Sequence, residues 1–264
     1  MSGADDVLLV RREPPLAWVM VNRPQARNAM NAAVWDGLAD AAARLGEDRE
    51  VRVVILRGAG EQAFISGADI SEFKALRADA AATAAYDARS ARAWRGLQAM
   101  PQPVIAMIHG FCFGGGVAVA LACDLRFASD VARFAVPATR LGLSYPFESL
   151  ERLVNVVGPT HAADILLSAR TLSAAEAYHV GFVNRLVPSA ELEQATRDYA
   201  LAMAAGAPLT IAAHKRAIQE VLQSPETRDL AAVRELARRC FDSADYQEGV
   251  AAFLEKRPAR FQGR

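Results

Sequence analysis

The chain has 264 residues, 52% of them apolar, and its 30 Lys and Arg balance its 30 Asp and Glu. Zero formal net charge leaves no global field to steer nucleic acid or an anionic membrane surface, and no apolar stretch is long enough to span a bilayer. This length suits one large domain or a domain with an appendage, with apolar residues enough for an ample core.

Cys112, Cys123 and Cys240 have neither metal-ligand nor redox spacing. The first ten residues, MSGADDVLLV, put acids ahead of a short apolar run, the reverse of a secretory signal. A reducing, cytoplasmic setting is therefore expected. Residues 7–12 and 16–21 read as strands joined at Glu13-Pro14-Pro15. Asn31 is placed to cap a helix running to about Leu45, with Val34, Leu38 and Ala42 on one face. A strand at 51–57 follows, then a Gly-Ala-Gly turn and the small-residue turn AFISGADI at 63–70. Residues 80–100 are alanine-rich and helical, and Pro101 and Pro103 end them. Strands are expected at 104–108, near 125–128 and at 134–136. Strands alternating with helices imply parallel pairing with right-handed crossovers. Beyond Pro188 the strands stop, and 190–205, 208–222, 225–240 and 243–254 all read as helices.

The chemistry is concentrated in PVIAMIHGFCFGGGVAVALACDLRFAS, residues 103–129. A buried strand leads through the hinge His109-Gly110 to Gly114-Gly115-Gly116, and then to a helix at 117–123 that is apolar all round. Backbone N–H groups at such a helix start, with no side chains to bar approach, suit a phosphate or a developing oxyanion. The spacing is neither GxGxxG nor GxxxxGK[ST], so nucleotide loops fit badly. AFISGADI repeats the logic: small residues, a glycine, then Asp69 leading into a helix.

These two stretches, with NRPQARNAM at 22–30 and YQEGVAAFLEKR at 246–257, resemble the crotonase (enoyl-CoA hydratase/isomerase) superfamily over nearly the whole chain. The resemblance implies an α/β fold, a ClpP-like spiral of ββα units over 1–188. A helical appendage over 189–264 would cap the site and pack trimers, often paired into hexamers. It further implies an acyl-CoA substrate, with coenzyme A entering only as part of that substrate and no other cofactor. The backbone N–H groups of Ala68 and Gly115, with Gly114 beside them, are thereby assigned to an oxyanion hole. Ala26, Arg27 and Ala29 would line the pantetheine and phosphate path, and Ser66, Ala68, Asp69 and Ile70 would bound the adenine. Phe253 and Lys256 match positions that reach the nucleotide of a neighbouring subunit. Ser71 stands where many relatives have lysine, which weakens the 3′-phosphate grip or moves it to Lys74.

The sequence departs from the hydratases at the two glutamates they use, where Ala118 and Ala138 stand here. A methyl group can neither activate water nor return a proton. Tyr145, in GLSYPFESL at 142–150, matches in position the tyrosine of methylmalonyl-CoA decarboxylases, although those enzymes carry a histidine where Ala68 stands. Decarboxylation would yield the enolate with no base, and Tyr145 would orient the leaving carboxylate. Glu148 is the new carboxylate of this segment, a candidate acid or base for hydratase or isomerase chemistry, or simply a first-turn helix residue. A catalytically silent acyl-CoA-binding protein is a third reading. His109 is expected to hold its turn rather than to react, and Asp124 and Arg126 to pair structurally. His161, His179 and His214 show no ligand spacing, so no metal site is expected.

Overall fold

The computed structural model describes residues 6–72 and 79–264. Leu8–Glu13 (β1) and Leu16–Val21 (β2) form an antiparallel hairpin. Val53–Gly58 (β3), Val104–Ile108 (β5), Leu125–Ser129 (β7) and Arg185–Val187 (β10) then add in parallel, giving a six-stranded sheet in the order β1-β2-β3-β5-β7-β10. The central strands are apolar without alternation because both faces of the sheet are covered. Ala17, Val54, Leu56, Ala106 and Ile108 face one core. Leu16, Trp18, Val53, Ile55, Ile105 and Met107 face the other.

A second sheet is built from short strands: Ala63–Ile65 (β4), Phe111–Phe113 (β6), Arg133–Ala135 (β8) and Leu172–Ser173 (β9), in the order β4-β6-β8-β9. Three of the long strands, β3, β5 and β7, run on into a short strand and then a helix. β3 and β4 lead to Ala80–Ala99 (α2), β5 and β6 to Gly115–Ala122 (α3), and β7 and β8 to Phe147–Ser168 (α4). This is the expected spiral of ββα units. β4 falls in a stretch read from sequence as a turn, and β6 between the hinge His109-Gly110 and the glycine run. Three residues are too few to show a period of two.

Ala32–Glu47 (α1) starts as expected, with Asn31 Oδ1 accepting the Val34 N–H at 2.9 Å. Gly158 and Pro159 kink α4. The short helix Ala174–His179 (α5) opens with a capping box between Ser173 and Glu176. Leu192–Ala204 (α6) lies against the sheet, burying Leu192, Ala200 and Ala204 in its second core. Pro208–Val221 (α7), Leu230–Phe241 (α8) and Ala244–Glu255 (α9) complete the helical region. The helix expected from residue 225 opens as a separate 3-10 turn, and α8 begins only after Asp229 accepts the Ala232 N–H at 2.9 Å.

Asp124 and Arg126 do not pair with each other as expected. Arg126 is buried and donates to the carbonyls of Phe182 at 2.6 Å, Cys123 at 3.1 Å and Ala120 at 3.3 Å. Asp124 Oδ2 accepts from the Val104 N–H at 2.7 Å and from Lys215 Nζ on α7 at 2.7 Å. Lys215 also donates to Gln102 O at 2.9 Å, and its side chain is 8% exposed against 31% for Asp124. Breaking a buried pair by removing one partner costs about 3–5 kcal/mol. Asp124→Ala, which strands the ammonium, is expected near that range in denaturant unfolding. Lys215→Met costs less, because water reaches the remaining carboxylate. A double variant no less stable than Asp124→Ala alone supports this account, whereas equal, additive losses would refute the coupling.

Candidate active site

Two backbone segments meet at the site. The first leaves β4: the Met30 N–H donates to Gly67 O at 2.8 Å and the Asp69 N–H donates to Met30 O at 2.9 Å. In this parallel bridge the groups of residues 67 and 69 turn toward Met30, so the intervening Ala68 N–H points the other way. The second is the start of α3. Gly114 takes φ 49° and ψ −108°, a conformation closed to residues with a Cβ. A Cβ at Gly116 would overlap Ile65 O, so the first turn of α3 rests directly on β4. A Cβ at Gly115 would lie 3.6 Å from Ala68 N. The Ala68 and Gly115 amides thus border one small space, and the first-turn N–H groups of a helix have no partner within it.

NRPQARNAM holds this arrangement. Asn28, buried with φ 58°, donates through Nδ2 to Ala63 O at 2.7 Å and Ala59 O at 3.0 Å, and its Oδ1 accepts the Arg23 N–H at 3.1 Å. Arg23 reaches Ala29 O at 2.6 Å and Asp69 Oδ2 at 2.8 Å. The other Asp69 oxygen accepts the Ser71 hydroxyl at 2.6 Å. Ser71 first, and then Arg23, hold the Asp69 carboxyl below its ordinary range against the opposing effect of burial. Asp69 is therefore a clamp on the loop. Ser66 donates its N–H to Arg27 O at 3.2 Å, which sets the 66–70 segment beside Ala26 and Arg27, while Ala29 is buried. The Arg27 guanidinium lies 5.6 Å above the Phe111 ring.

Ala68, Gly114 and Gly115 open into a pocket of about 170 Å³ walled by Trp35, Trp94, Val136, Leu141 and Leu143. Ser66 and Ile70 lie at its edge, and Ala118 and Ala138 both line it. Trp35 and Trp94 meet edge to face at 5.9 Å, and Trp35 Nε1 donates to the Tyr86 hydroxyl at 3.2 Å. Tyr145 forms part of the wall, its hydroxyl donating to Gly114 O at 3.1 Å. Burial pushes the phenol pKa up, so it stays protonated. To orient a substrate carboxylate, the role expected from sequence, the hydroxyl would have to turn away from Gly114 O.

Glu148 does not line this pocket. It is exposed in the first turn of α4, at a smaller cavity of about 100 Å³ that shares Trp94 and Ala118 with the main one. Phe253 and Lys256, on α9 and at its C-cap, also lie outside the pocket lining. Lys74 falls outside the described residues. His109 is buried with Ser189 Oγ 3.4 Å from Nδ1, and burial lowers its pKa; it too is absent from the pocket wall. The Cys112 and Cys123 thiols are buried, the latter pushed up to about 12 by desolvation first and by Asp124 second. Among the described residues, no three His, Cys, Asp or Glu side chains come together as a metal site requires.

Asp87 was not singled out from the sequence, yet it is the one carboxylic acid lining the pocket among the described residues, which contribute no Lys, Arg or His there. The signal was present on α2, where Tyr86, Ser90, Ala93 and Leu97 form the buried stripe and Asp87 and Trp94, seven apart, flank it. Alanines on every face of that helix obscured the stripe.

The enoyl-CoA hydratase/isomerase family model matches residues 11–264. The short-chain-enoyl-CoA hydratase of Clostridium acetobutylicum is 34% identical over 250 residues, covering 95% of each chain. The crotonyl-CoA hydratase of Syntrophomonas wolfei is 34% identical over 254 residues, 96% of this chain and 97% of that one. The crystal structure of an enoyl-CoA hydratase/carnithine racemase from Magnetospirillum magneticum superposes with a TM-score of 0.94 at 39% identity, covering 98% of this chain and 96% of that one. None of these relatives bears a decarboxylase name, so the likeness seen at Tyr145 stays at the level of that segment. With this match over nearly its full length, and with paired backbone donors beside an apolar pocket, the chain belongs to the enoyl-CoA hydratase/isomerase (crotonase) family of acyl-CoA enzymes.

Proposed function

We propose that the protein binds an acyl-CoA thioester with its carbonyl oxygen between the Ala68 and Gly115 amides, and forms the enolate by loss of CO2 from a malonyl-type acyl group. One observation carries this reading: the methyl groups of Ala118 and Ala138 line the pocket that these two amides enter. Removal of a carbon-bound proton, or activation of water, needs a base at those positions, and the one carboxylate that lines the pocket, Asp87, is exposed on α2. Decarboxylation needs no base. The electrons of the breaking C–C bond pass into the thioester carbonyl, CO2 leaves, and the charge arrives on the oxygen that the two amides face.

The walls suit that step. Among the described residues no Lys, Arg or His lines the pocket, and its sides are largely Trp, Leu and Val. A carboxylate is poorly solvated in such surroundings, while neutral CO2 is not disfavoured, so surrendering charge to the amides relieves the strain of burial. The enolate carbon then takes a proton from water at the mouth, beside Asp87.

A second reading is hydration of an enoyl-CoA with Glu148 as the acid or base. It is favoured by the cavity that Glu148 shares with Ala118 and by the hydratase names of the relatives. The reading of the assembly as trimers, alone or paired, is supported by the apolar groove among α7, α8 and α9, where Phe241 and Phe253 are 66% and 84% exposed.

Incubation with a panel of malonyl-, methylmalonyl- and enoyl-CoA thioesters, read by mass spectrometry, separates these readings. Loss of CO2 from a malonyl-type member is expected. Addition of water to an enoyl member, abolished by Glu148→Gln, would overturn decarboxylation in favour of hydration. Binding with no product from any member would favour the silent binder. Gly115→Ala tests the oxyanion hole itself. Its methyl meets nothing closer than 3.6 Å, so the fold should hold, yet it occupies the oxygen's place beside Ala68 N. Turnover should fall by about 10²–10³-fold. An unchanged rate would remove the oxyanion hole from the mechanism.

A further inference from the structure

The hydrogen bond from Tyr145 ends on a particular oxygen. The Gly114 carbonyl and the Gly115 N–H are the two ends of one peptide unit, so the hydroxyl and the oxyanion donor act on opposite sides of a single amide plane. That plane has glycine on both sides, and neither residue resists its rotation sterically. Gly114 sits at φ 49° and ψ −108°, and its neighbours in sequence do little to fix the direction of the Gly115 N–H.

Three hydrogen bonds surround this peptide. The Gly114 N–H donates to Ala135 O at 2.8 Å, the Ala118 N–H donates to Gly114 O at 3.2 Å, and the Tyr145 hydroxyl donates to the same oxygen at 3.1 Å. The first anchors the preceding atom of the chain. The second is the opening bond of α3. Only the third comes from a side chain, and it reaches the peptide from the segment ahead of α4. A donor on an amide oxygen draws electron density from the nitrogen and makes the N–H a stronger donor.

We propose that Tyr145 is a positioning residue for the oxyanion hole: its hydroxyl, bonded to Gly114 O, aims and polarises the Gly115 N–H through their shared peptide unit. This rests on the oxyanion reading of Ala68 and Gly115 and is independent of the reaction that follows. In this role Tyr145 acts through the peptide, not on the reacting carbon or a leaving group. The device works whenever the phenol is protonated, and burial keeps it so.

The test replaces Tyr145 with Phe, which keeps the ring and removes the hydroxyl; a thermal melt checks the fold. Two signals are read. In the free protein, the Gly115 amide nitrogen resonance should move in Tyr145→Phe, because the hydrogen bond on the preceding carbonyl is lost. In the complex with acetyl-CoA carrying 13C at its thioester carbon, infrared difference spectra report the bound carbonyl. Wild-type protein should lower the stretch relative to free thioester, and Tyr145→Phe should diminish that shift by roughly 10–30% or more, with affinity altered less than the shift. Site-specific 3-fluorotyrosine, a stronger donor, should enlarge it. A Gly115 resonance that stays put in Tyr145→Phe overturns the inference whether or not the probe binds. So does a full carbonyl shift in that variant. No carbonyl shift in bound wild type would instead sink the oxyanion reading, which separates the two failures. A purely packing role for Tyr145 moves neither signal, since the ring is retained.

Discussion

Helix α3 and strand β4 touch with no side chain between them. At Gly116 the backbone passes so near Ile65 O that a single methyl group would push the helix away. Two donors that share one oxygen must both lie about 2.7–3.1 Å from it. A displacement of the helix by the width of a methyl would therefore separate the Gly115 amide from the Ala68 amide and leave two unrelated N–H groups. Much of the remaining architecture serves to hold this approach. Asn28 ties the 22–30 segment to the carbonyl of Ala63 at the start of β4, and Met30 bridges both sides of Ala68. The Arg23 and Asp69 pair secures the chain where it leaves.

The other partner, α3, inherits its position from the large sheet. β5 carries the chain into β6 and then into the glycines, and β5 is buried at every residue between two parallel neighbours. Asp124, just past α3, accepts the N–H of Val104 at the first residue of β5 and the ammonium of Lys215 on α7. A single carboxylate thus joins the start of β5, the entry to β7 and the helical region. The helices beyond residue 188 are in this way fastened to the strand that presents the site. α6 goes further and covers the second face of the sheet with Leu192, Ala200 and Ala204.

What could be read from the sequence divides along physical lines. Of the six-stranded sheet, all but the three-residue β10 was legible, as short apolar-rich runs, and the α1 cap was legible at Asn31. β4 and β6 were not, since each is three residues long and paired by backbone groups that leave no periodic trace. The resemblance picked out Ala68 and Gly115, and the bridge at Met30 turns the Ala68 N–H away from residue 30. Asp124 and Arg126 show the opposite case. Adjacent opposite charges suggested a pair, but partners in a folded core are chosen by geometry, and Lys215 lies ninety-one positions away along the chain. Tyr145 was noticed for its position in the loop. Its bond to Gly114 O is a through-space fact between a loop and a helix start, and no spacing rule encodes it.

The site separates two tasks that are often carried by one set of residues. In the proposed reading, stabilising the developing charge belongs to backbone amides, whose placement depends on Gly116, Asn28 and Arg23. Handling protons belongs to side chains that project into the pocket, and at positions 118 and 138 those side chains are methyl groups. The close approach of α3 to β4 is made at Gly116 and Ile65. Overall likeness among relatives reports mainly on the residues that build the sheet, the close approach and the clamp. It is nearly blind to two methyl groups among 264 residues, and it is on those two that the proposed loss of a neutral fragment, in place of proton removal, rests. Similarity to hydratases therefore bears on family and fold, while the proposed holding of the oxygen and the proposed chemistry at carbon rest on the pocket's own lining.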